Sequence, residues 1–229
     1  MSAPWHKKDP SQLSRLKEDL EKKYPDLYLT VEGDLVYLRG TIPILHDDAE
    51  LDRFQVEVMI PPDFPKNIAR VRETGDRIPH TAYWHTYIQG GLCITVPEDW
   101  LIDANYTSLI AFLDGPVRNY FLGHALAECE IKRPMGERQH GSKGLYEAYG
   151  DMVGSSQPEV IEKNLEYLTK KKIKGHWDCP CGSGKRLRDC HRSDIINLQK
   201  KIPRWVAESA LKRLREHKQR EHLCAKQSL

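Results

Sequence analysis

Hydrophobic residues near the N-terminus repeat with the period of a helix. Over residues 11–24 they recur every three or four positions, which places them on one face of an amphipathic helix. Ser11 suits the N-cap of this helix, and Pro25 ends it. The shared face is formed by Leu13, Leu16, Leu20 and Tyr24.

After this helix the hydrophobic residues alternate with polar ones, which is typical of strands. A Gly33-Asp34 turn separates the first two strands, and Pro61-Pro62 ends the third because proline has no amide hydrogen to donate. The four predicted strands are 27–31, 35–44, 54–60 and 69–74. A helix, four consecutive strands and then further helices predict an α+β fold with a four-strand antiparallel meander.

The region from 75 to 105 has no clear period, and long irregular stretches within a compact domain are usually functional. A helical pattern resumes near Thr107, and we expect Gly115-Pro116 to kink or break it. Residues 131–158 are rich in Gly, Pro, Ser and His, which predicts a partly ordered connection.

Two further helical patterns follow the connection, around 161–168 and around 205–214, and the second is basic. We therefore expect a first domain at 1–150 and a second, smaller one at 151–229. Charge supports this division: residues 1–158 carry 17 Lys and Arg against 24 Asp and Glu, a net −7, whereas residues 159–229 carry 18 against 9, a net +9. A basic tail predicts an acidic partner or nucleic acid, or else a solvated surface.

Composition excludes several classes of protein. The chain is 39% hydrophobic and 30% charged, and no apolar run approaches the roughly 18 residues of a membrane-spanning helix. The N-terminus lacks the apolar segment of a secretory signal, so we expect a cytoplasmic protein that does not bind membranes. In that compartment, six cysteines favour metal ligands, nucleophiles or inert thiols over disulfides.

The strongest local signal is a cluster of three cysteines and a histidine: Cys179, Cys181, Cys190 and His191. Their thiols and imidazole suit a closed tetrahedral zinc site, and intervening glycines allow the loop to fold back. Because four protein ligands leave no open position, the zinc is expected to be structural. The cluster resembles the SEC-C zinc motif, in which every cysteine and histidine position is filled here.

A second set of residues is spread over the first domain. A proline-rich turn at 60–65 is followed by His80, by Cys93 within Gly91-Leu92-Cys93-Ile94, and by Trp100. In this order, after a helix and a meander, the residues resemble the ubiquitin-conjugating enzyme family over about residues 10–130. The resemblance implies that Cys93 is an acyl-carrying nucleophile, since a thioester is readily attacked by an amine. Without it, a cysteine between two apolar residues would be interpreted as a small buried side chain.

The sequence lacks one residue that helps to stabilise the oxyanion in that family. The eukaryotic enzymes have a His-Pro-Asn triplet, but His80 is followed by Thr81 and Ala82, so the asparagine is missing. His85, Thr86 or amides near Gly90-Gly91 are the substitutes we expect. His80 is predicted equally to organise the loop or to take part in catalysis, and Asp99 and Asp103 are expected to be solvated.

The segments Gly136–Gly141 and Gly144–Tyr149 are similar to short ubiquitin-conjugating-like proteins of bacterial antiphage operons. This resemblance implies that the acyl substrate is the C-terminus of a cyclic GMP-AMP synthase-like nucleotidyltransferase. No adenylation or ATP-binding motif is recognisable, so either activation of the carboxylate occurs elsewhere or Cys93 attacks an already activated or internal acyl bond.

Two alternatives remain open at this stage. The first is a non-catalytic adaptor of the same fold, which the missing asparagine favours. The second is binding of nucleic acid by the basic tail, which is ranked lower because aromatic residues suited to base stacking are few there. Cys129 and Cys224 have no ligand partner at a suitable spacing and receive no role.

Overall fold

The structure is a computed structural model that describes residues 3–46, 49–95, 97–101, 106–128 and 142–227. The chain divides into two compact units, the first formed by Met1–Pro97 and Asp103–Gly136, the second by Glu98–Ile102 and Glu137–Leu229. Within the described ranges, no helix combines the length and the apolar character needed to span a membrane.

Strands are confined to the N-terminal part of the chain. The strands are β1 (Leu27–Glu32), β2 (Leu35–His46), β3 (Ala49–Ile60) and β4 (Arg70–Glu73). The α-helices are α1 (Trp5–Lys8), α2 (Pro10–Lys23), α3 (Pro97–Leu101), α4 (Leu109–Phe112), α5 (Arg118–Glu128), α6 (Ser142–Val153), α7 (Pro158–Leu168), α8 (Arg192–Lys201) and α9 (Arg204–Gln227). A π-helical turn at Leu113–Val117 joins α4 to α5, and short 3-10 turns lie at Ala82–Trp84 and Leu187–Asp189.

The four strands form one antiparallel sheet in the order β1-β2-β3-β4, so the predicted meander is confirmed. Alternate residues of the central strands are fully buried, as their hydrophobic alternation predicts. The strand β3 begins five residues before the predicted start at 54 because its pairing with β2 continues to Ala49 opposite His46. These added residues are mostly exposed, so no hydrophobic alternation marks them.

The first long helix differs from the prediction at its start. The N-cap is Asp9 rather than Ser11, and its carboxylate accepts a hydrogen bond from the Ser11 amide at 3.1 Å. Proline occupies the first turn, where a missing amide hydrogen costs nothing. Farther along, Gly115-Pro116 does not end the helical path, because the chain passes it in the π turn.

Helices also occupy parts of the second unit for which the pattern gave no helix. The predicted connection at 131–158 contains α6, which packs against α7 and α9. The division of the chain falls after Gly136, so the boundary predicted between 150 and 151 lies inside α6, on the side of the second unit.

The glycine at position 40 lies at a close approach of two backbone segments. Gly40 has φ +146° and pairs with Leu27 on one side and Val56 on the other. A Cβ atom at this position would lie 1.8 Å from the carbonyl oxygen of Asp26. The contact is with backbone, so no side-chain rotation relieves it.

Gly40→Ala is therefore expected to destabilise the protein severely, by more than about 4 kcal/mol. Gly33→Ala is the matched control, because Gly33 also has a positive φ of 65° but has nothing within 4 Å of an added Cβ. The control should lose only about 1–2 kcal/mol, from the left-handed backbone alone. Chemical denaturation followed by tryptophan fluorescence measures both, and equal losses would contradict the steric explanation.

Candidate functional site

The four predicted metal ligands are brought together by a short loop that folds back on itself. Asp178 and Arg186 pair as an isolated antiparallel bridge, and the Cys179 amide donates to the Lys185 carbonyl at 2.9 Å. Between these pairs, Gly182 and Gly184 have φ values of 77° and 71°, which disfavour other residues. The loop thereby presents its first two cysteines to the two ligands that follow the next 3-10 turn.

The donor atoms of Cys179, Cys181, Cys190 and His191 all lie within 4.8 Å of one another. Cys181 Sγ is 3.6 Å from Cys190 Sγ, and His191 Nδ1 is 3.3 Å from Cys179 Sγ and 3.2 Å from Cys190 Sγ. A tetrahedral ion with metal–sulfur bonds of about 2.3 Å and a metal–nitrogen bond of about 2.0 Å needs sulfur–sulfur edges of about 3.8 Å and sulfur–nitrogen edges of about 3.5 Å. The four donors therefore lie close enough together to hold a metal ion after small adjustments of the side chains.

A serine inside the loop lies within hydrogen-bonding distance of two of the thiols. Ser183 Oγ is 3.2 Å from Cys181 Sγ and 3.6 Å from Cys190 Sγ. Hydrogen bonding with Ser183 lowers the pKa of Cys181 to about 6, which favours the thiolate that binds metal. By contrast, burial raises the pKa of Cys179 to about 11, so this thiol needs a cation to ionise near neutral pH.

The loop is attached to the helices of the second unit through two aromatic residues. The rings of Tyr167 and Trp177 lie 4.9 Å apart, and the Tyr167 hydroxyl donates to the Asp178 carbonyl at 2.8 Å. Leu187 is completely buried beneath the loop, and its amide donates to the Trp177 carbonyl at 2.7 Å. Few other apolar side chains lie between 170 and 191, so the metal would supply much of the folding free energy here.

The other candidate site centres on Cys93, which is half-buried and lies in a loop held against β4. The Leu92 amide donates to the Val71 carbonyl at 2.8 Å, and the Cys93 amide donates to the His85 carbonyl at 2.7 Å. His85 is itself half-buried and has a left-handed backbone with φ 53°, an uncommon conformation for a residue other than glycine. The main chain thus fixes His85 next to Cys93.

Between these two residues the chain makes a tight hairpin turn. The Tyr87 amide donates to the Gly91 carbonyl, and the Gly90 amide donates to the Tyr87 carbonyl, both at 2.8 Å. The Arg72 guanidinium donates to the Gln89 carbonyl and fastens the tip of the turn to β4. A Cβ on Gly90, whose φ is 81°, would lie 3.1 Å from the imidazole of His80, so that exposed ring packs over the turn.

Sequence patterns gave no sign of the aromatic residues that support His85. Tyr120 on α5 donates a 2.7 Å hydrogen bond from its hydroxyl to the Trp84 carbonyl. The Thr86 hydroxyl donates to the same carbonyl at 3.2 Å, and the buried ring of His124 lies 4.7 Å from the rings of both Trp84 and Tyr120. This cluster holds the backbone on both sides of His85.

A buried carboxylate shapes the chain before His80. Glu73, only 9% exposed, accepts hydrogen bonds from the amides of Gly75 at 2.6 Å and Arg77 at 3.0 Å. The Arg77 guanidinium in turn pairs with Asp52 at 2.5 Å and also with Glu128. The sequence signal for this turn is an acidic residue at the end of a strand, Glu73, followed two positions later by Gly75.

Several residues singled out in the sequence lie outside the described part of the molecule. These are Asp103, Cys129, the segment Gly136–Gly141, and the side chains of Asp99 and Cys224. Trp100 is described and is buried in the second unit.

Comparisons with known proteins do not add a family to this description. No family model, no curated protein and no solved structure matches the chain. The metal cluster and the Cys93 loop are therefore the features that bear on function.

The metal cluster makes a direct analytical prediction. Purified protein should contain about one equivalent of metal per chain, and Cys190→Ala should lose it, because three ligands hold an ion far less tightly than four. The variant should also unfold the second unit at lower temperature, as followed by Trp177 fluorescence. Cys93→Ser is the control and should retain the metal. A folded wild-type protein without metal would contradict the prediction.

The support given by Tyr120 can be tested without any substrate. Tyr120→Phe removes the hydroxyl that bonds the Trp84 carbonyl, so we expect a loss of about 1 kcal/mol of stability and faster alkylation of Cys93. Mass mapping of the peptide containing Cys93 measures that rate. Tyr28→Phe is the control, because Tyr28 is 67% exposed on the sheet. Equal alkylation rates in both variants would show that the hydrogen bond does not hold the loop.

Proposed function

We propose that the protein carries an acyl group on Cys93 as a thioester and transfers it to an amine. The observation that carries the proposal is the main-chain hydrogen bond from the amide of half-buried Cys93 to the His85 carbonyl, within a loop held against the sheet. A reactive cysteine needs partial access, which favours half-buried Cys93 over a buried structural thiol. It also needs a base, and we propose His85 in that role because the main chain holds it next to Cys93.

The reaction consists of two balanced substitutions. In the first, the Cys93 thiolate attacks the carbonyl carbon of an activated acyl group, a carbon–sulfur bond forms, and the activating group leaves with its electron pair. In the second, an amine attacks the thioester, the carbon–sulfur bond breaks, and Cys93 leaves as a thiolate while the amine loses a proton. We assign His85 to accept that proton and His80 to keep the turn at Gly90 in place.

The transition state also needs a hydrogen-bond donor for the oxyanion that forms on the acyl carbon. The Thr86 hydroxyl and the Gly90 amide already donate to carbonyl oxygens of the loop at 3.2 and 2.8 Å. Of the substitutes expected for the missing asparagine, we propose the backbone amide of Gly91 as donor to the oxyanion, and we keep His85 for the proton transfer.

The second unit contributes through a structural metal, which we propose is zinc. Three sulfurs and one imidazole nitrogen are a donor set typical of structural zinc, and four protein ligands leave no place for substrate. Together with the resemblance in sequence to the SEC-C motif, this supports a folding role for the ion.

The acyl donor is proposed from the resemblance to the ubiquitin-conjugating-like proteins of antiphage operons. On that basis the acyl group is the C-terminus of a cyclic GMP-AMP synthase-like nucleotidyltransferase, activated by another component. The antiparallel meander preceding the cysteine loop supports a ubiquitin-conjugating-like fold for the first unit.

A non-catalytic adaptor is the second candidate, and one observation favours it. Tyr83, Tyr87 and Ile88, beside the Cys93 loop, are exposed by 71%, 58% and 87%, which is unusual for large apolar side chains and typical of an interaction surface. An adaptor would bind the same partner through this surface without forming a covalent bond.

Trapping of the intermediate distinguishes the two functions. When the protein is produced with a cyclic GMP-AMP synthase-like nucleotidyltransferase and the component that activates its C-terminus, wild type should acquire a thiol-sensitive adduct and Cys93→Ser a thiol-resistant ester, because oxygen is a poorer leaving group than sulfur. Cys93→Ala should acquire none, as measured by intact mass. Cys129→Ala and Cys224→Ala are the controls and should still form the adduct. A conjugate on Cys93→Ala, or no added mass on any variant, would favour the adaptor.

A further inference from the structure

The segment 170–201 of the second unit carries an unusual excess of positive charge. It contains ten Lys and Arg against three Asp. Two of the acids are already paired within the segment, Asp178 with Arg186 at 2.6 Å and Asp189 with Arg188 at 3.4 Å. Among the described residues, the other eight cations of the segment are exposed and form no ion pair. Asp194 is then the one acid of the segment that is not paired within it. The eight cations are Lys170, Lys171, Lys172, Lys174, Lys185, Arg192, Lys200 and Lys201.

The fold places two parts of this segment side by side. The Gln199 side chain donates a 2.6 Å hydrogen bond to the Lys170 carbonyl, near the end of α8. At the start of the same helix, Arg192 Cδ lies 3.7 Å from the position of a Cβ on Gly175. Residues 170–175 therefore run along α8 over most of its length, about 15 Å at 1.5 Å per residue. We call these two segments together the basic strip.

The lack of a side chain at Gly175 contributes to this arrangement. A Cβ there would lie 2.9 Å from Arg188 Cβ, and the Arg188 amide donates to the Gly175 carbonyl at 2.9 Å. Because Gly175 has no side chain, Arg188 and Arg192 come close to the lysine-rich segment 170–175 despite their like charge. Such a concentration of cations is electrostatically unfavourable for the isolated protein, and a polyanion would relieve it.

The surroundings of the strip distinguish between two kinds of polyanion. Protein interfaces have an apolar or aromatic centre, whereas nucleic-acid interfaces are polar and strongly positive. Large exposed hydrophobic side chains occur in the first unit, but none is found in the described part of the second. Trp177, the aromatic residue nearest to the lysines in sequence, is stacked on Tyr167, so the strip offers no free platform for unpaired bases.

We propose that the basic strip binds the phosphate backbone of double-stranded nucleic acid without reading its sequence. Lysines on an exposed segment contact phosphates as point charges, and each contact releases counterions from the duplex. This binding is independent of the reaction proposed for Cys93.

The test uses the full-length protein and a fluorescently labelled DNA duplex of arbitrary sequence, with anisotropy measured over a series of salt concentrations. Affinity should fall with salt with a slope of about −0.9 per phosphate contacted. Replacing Lys170, Lys171 and Lys172 with Gln should weaken binding at least about tenfold at low salt and reduce the slope by about three. Changing the sequence of the duplex should leave the affinity unchanged.

The matched control is Lys8→Gln, Lys17→Gln and Lys22→Gln together, because it removes the same charge from exposed lysines of the first unit. This control, and Cys93→Ser, should bind DNA like wild type. Metal content verifies that each variant keeps a folded second unit. Equal weakening in both triple variants would overturn the proposal in favour of general charge attraction. Displacement of the duplex by polyglutamate at equal charge would overturn it in favour of an acidic protein.

Discussion

The extension of the sheet beyond β4 is the interaction on which the arrangement of the Cys93 loop depends. The Leu92 amide bonds to Val71 of the last strand, and the next residue bonds to His85, so the cysteine loop is attached to a buried sheet by consecutive main-chain hydrogen bonds. A loop without such bonds would sample many conformations, and ordering it costs about 1–2 kcal/mol per residue. Hydrogen bonding to the sheet therefore keeps the Cys93 loop ordered in the isolated protein.

The second unit solves a different problem, because its loop has almost no hydrophobic core to order it. Glycines with positive φ set the path, Leu187 fills the space beneath, and four converging donors remain for an ion to join. Helix α8 starts directly after the last of these donors, His191. The metal cluster therefore fixes the position of the first residue of α8, which forms one of the two parts of the basic strip.

Local patterns in the sequence predicted what local forces determine. The strands followed from alternation on β2 and β3, and the metal cluster from three cysteines and one histidine within thirteen residues. Helix α8 was missed because Ile195 is its only fully buried residue, which leaves no apolar stripe to detect. The support of the Cys93 loop by Tyr120 was missed because it joins residues 36 positions apart, and such a contact has no local signature.

The π turn at Leu113–Val117 sets the rotational phase of everything that follows it. At about 100° per residue, buried Leu109 and Ala125 would lie about 160° apart around an uninterrupted α-helix, on nearly opposite faces. One extra residue in the wide turn reduces that angle to about 60°, so both ends of the helical path face the same core. Loss of a single residue here would rotate Tyr120 and His124 away from Trp84, even though every side chain of the cluster remained in the sequence.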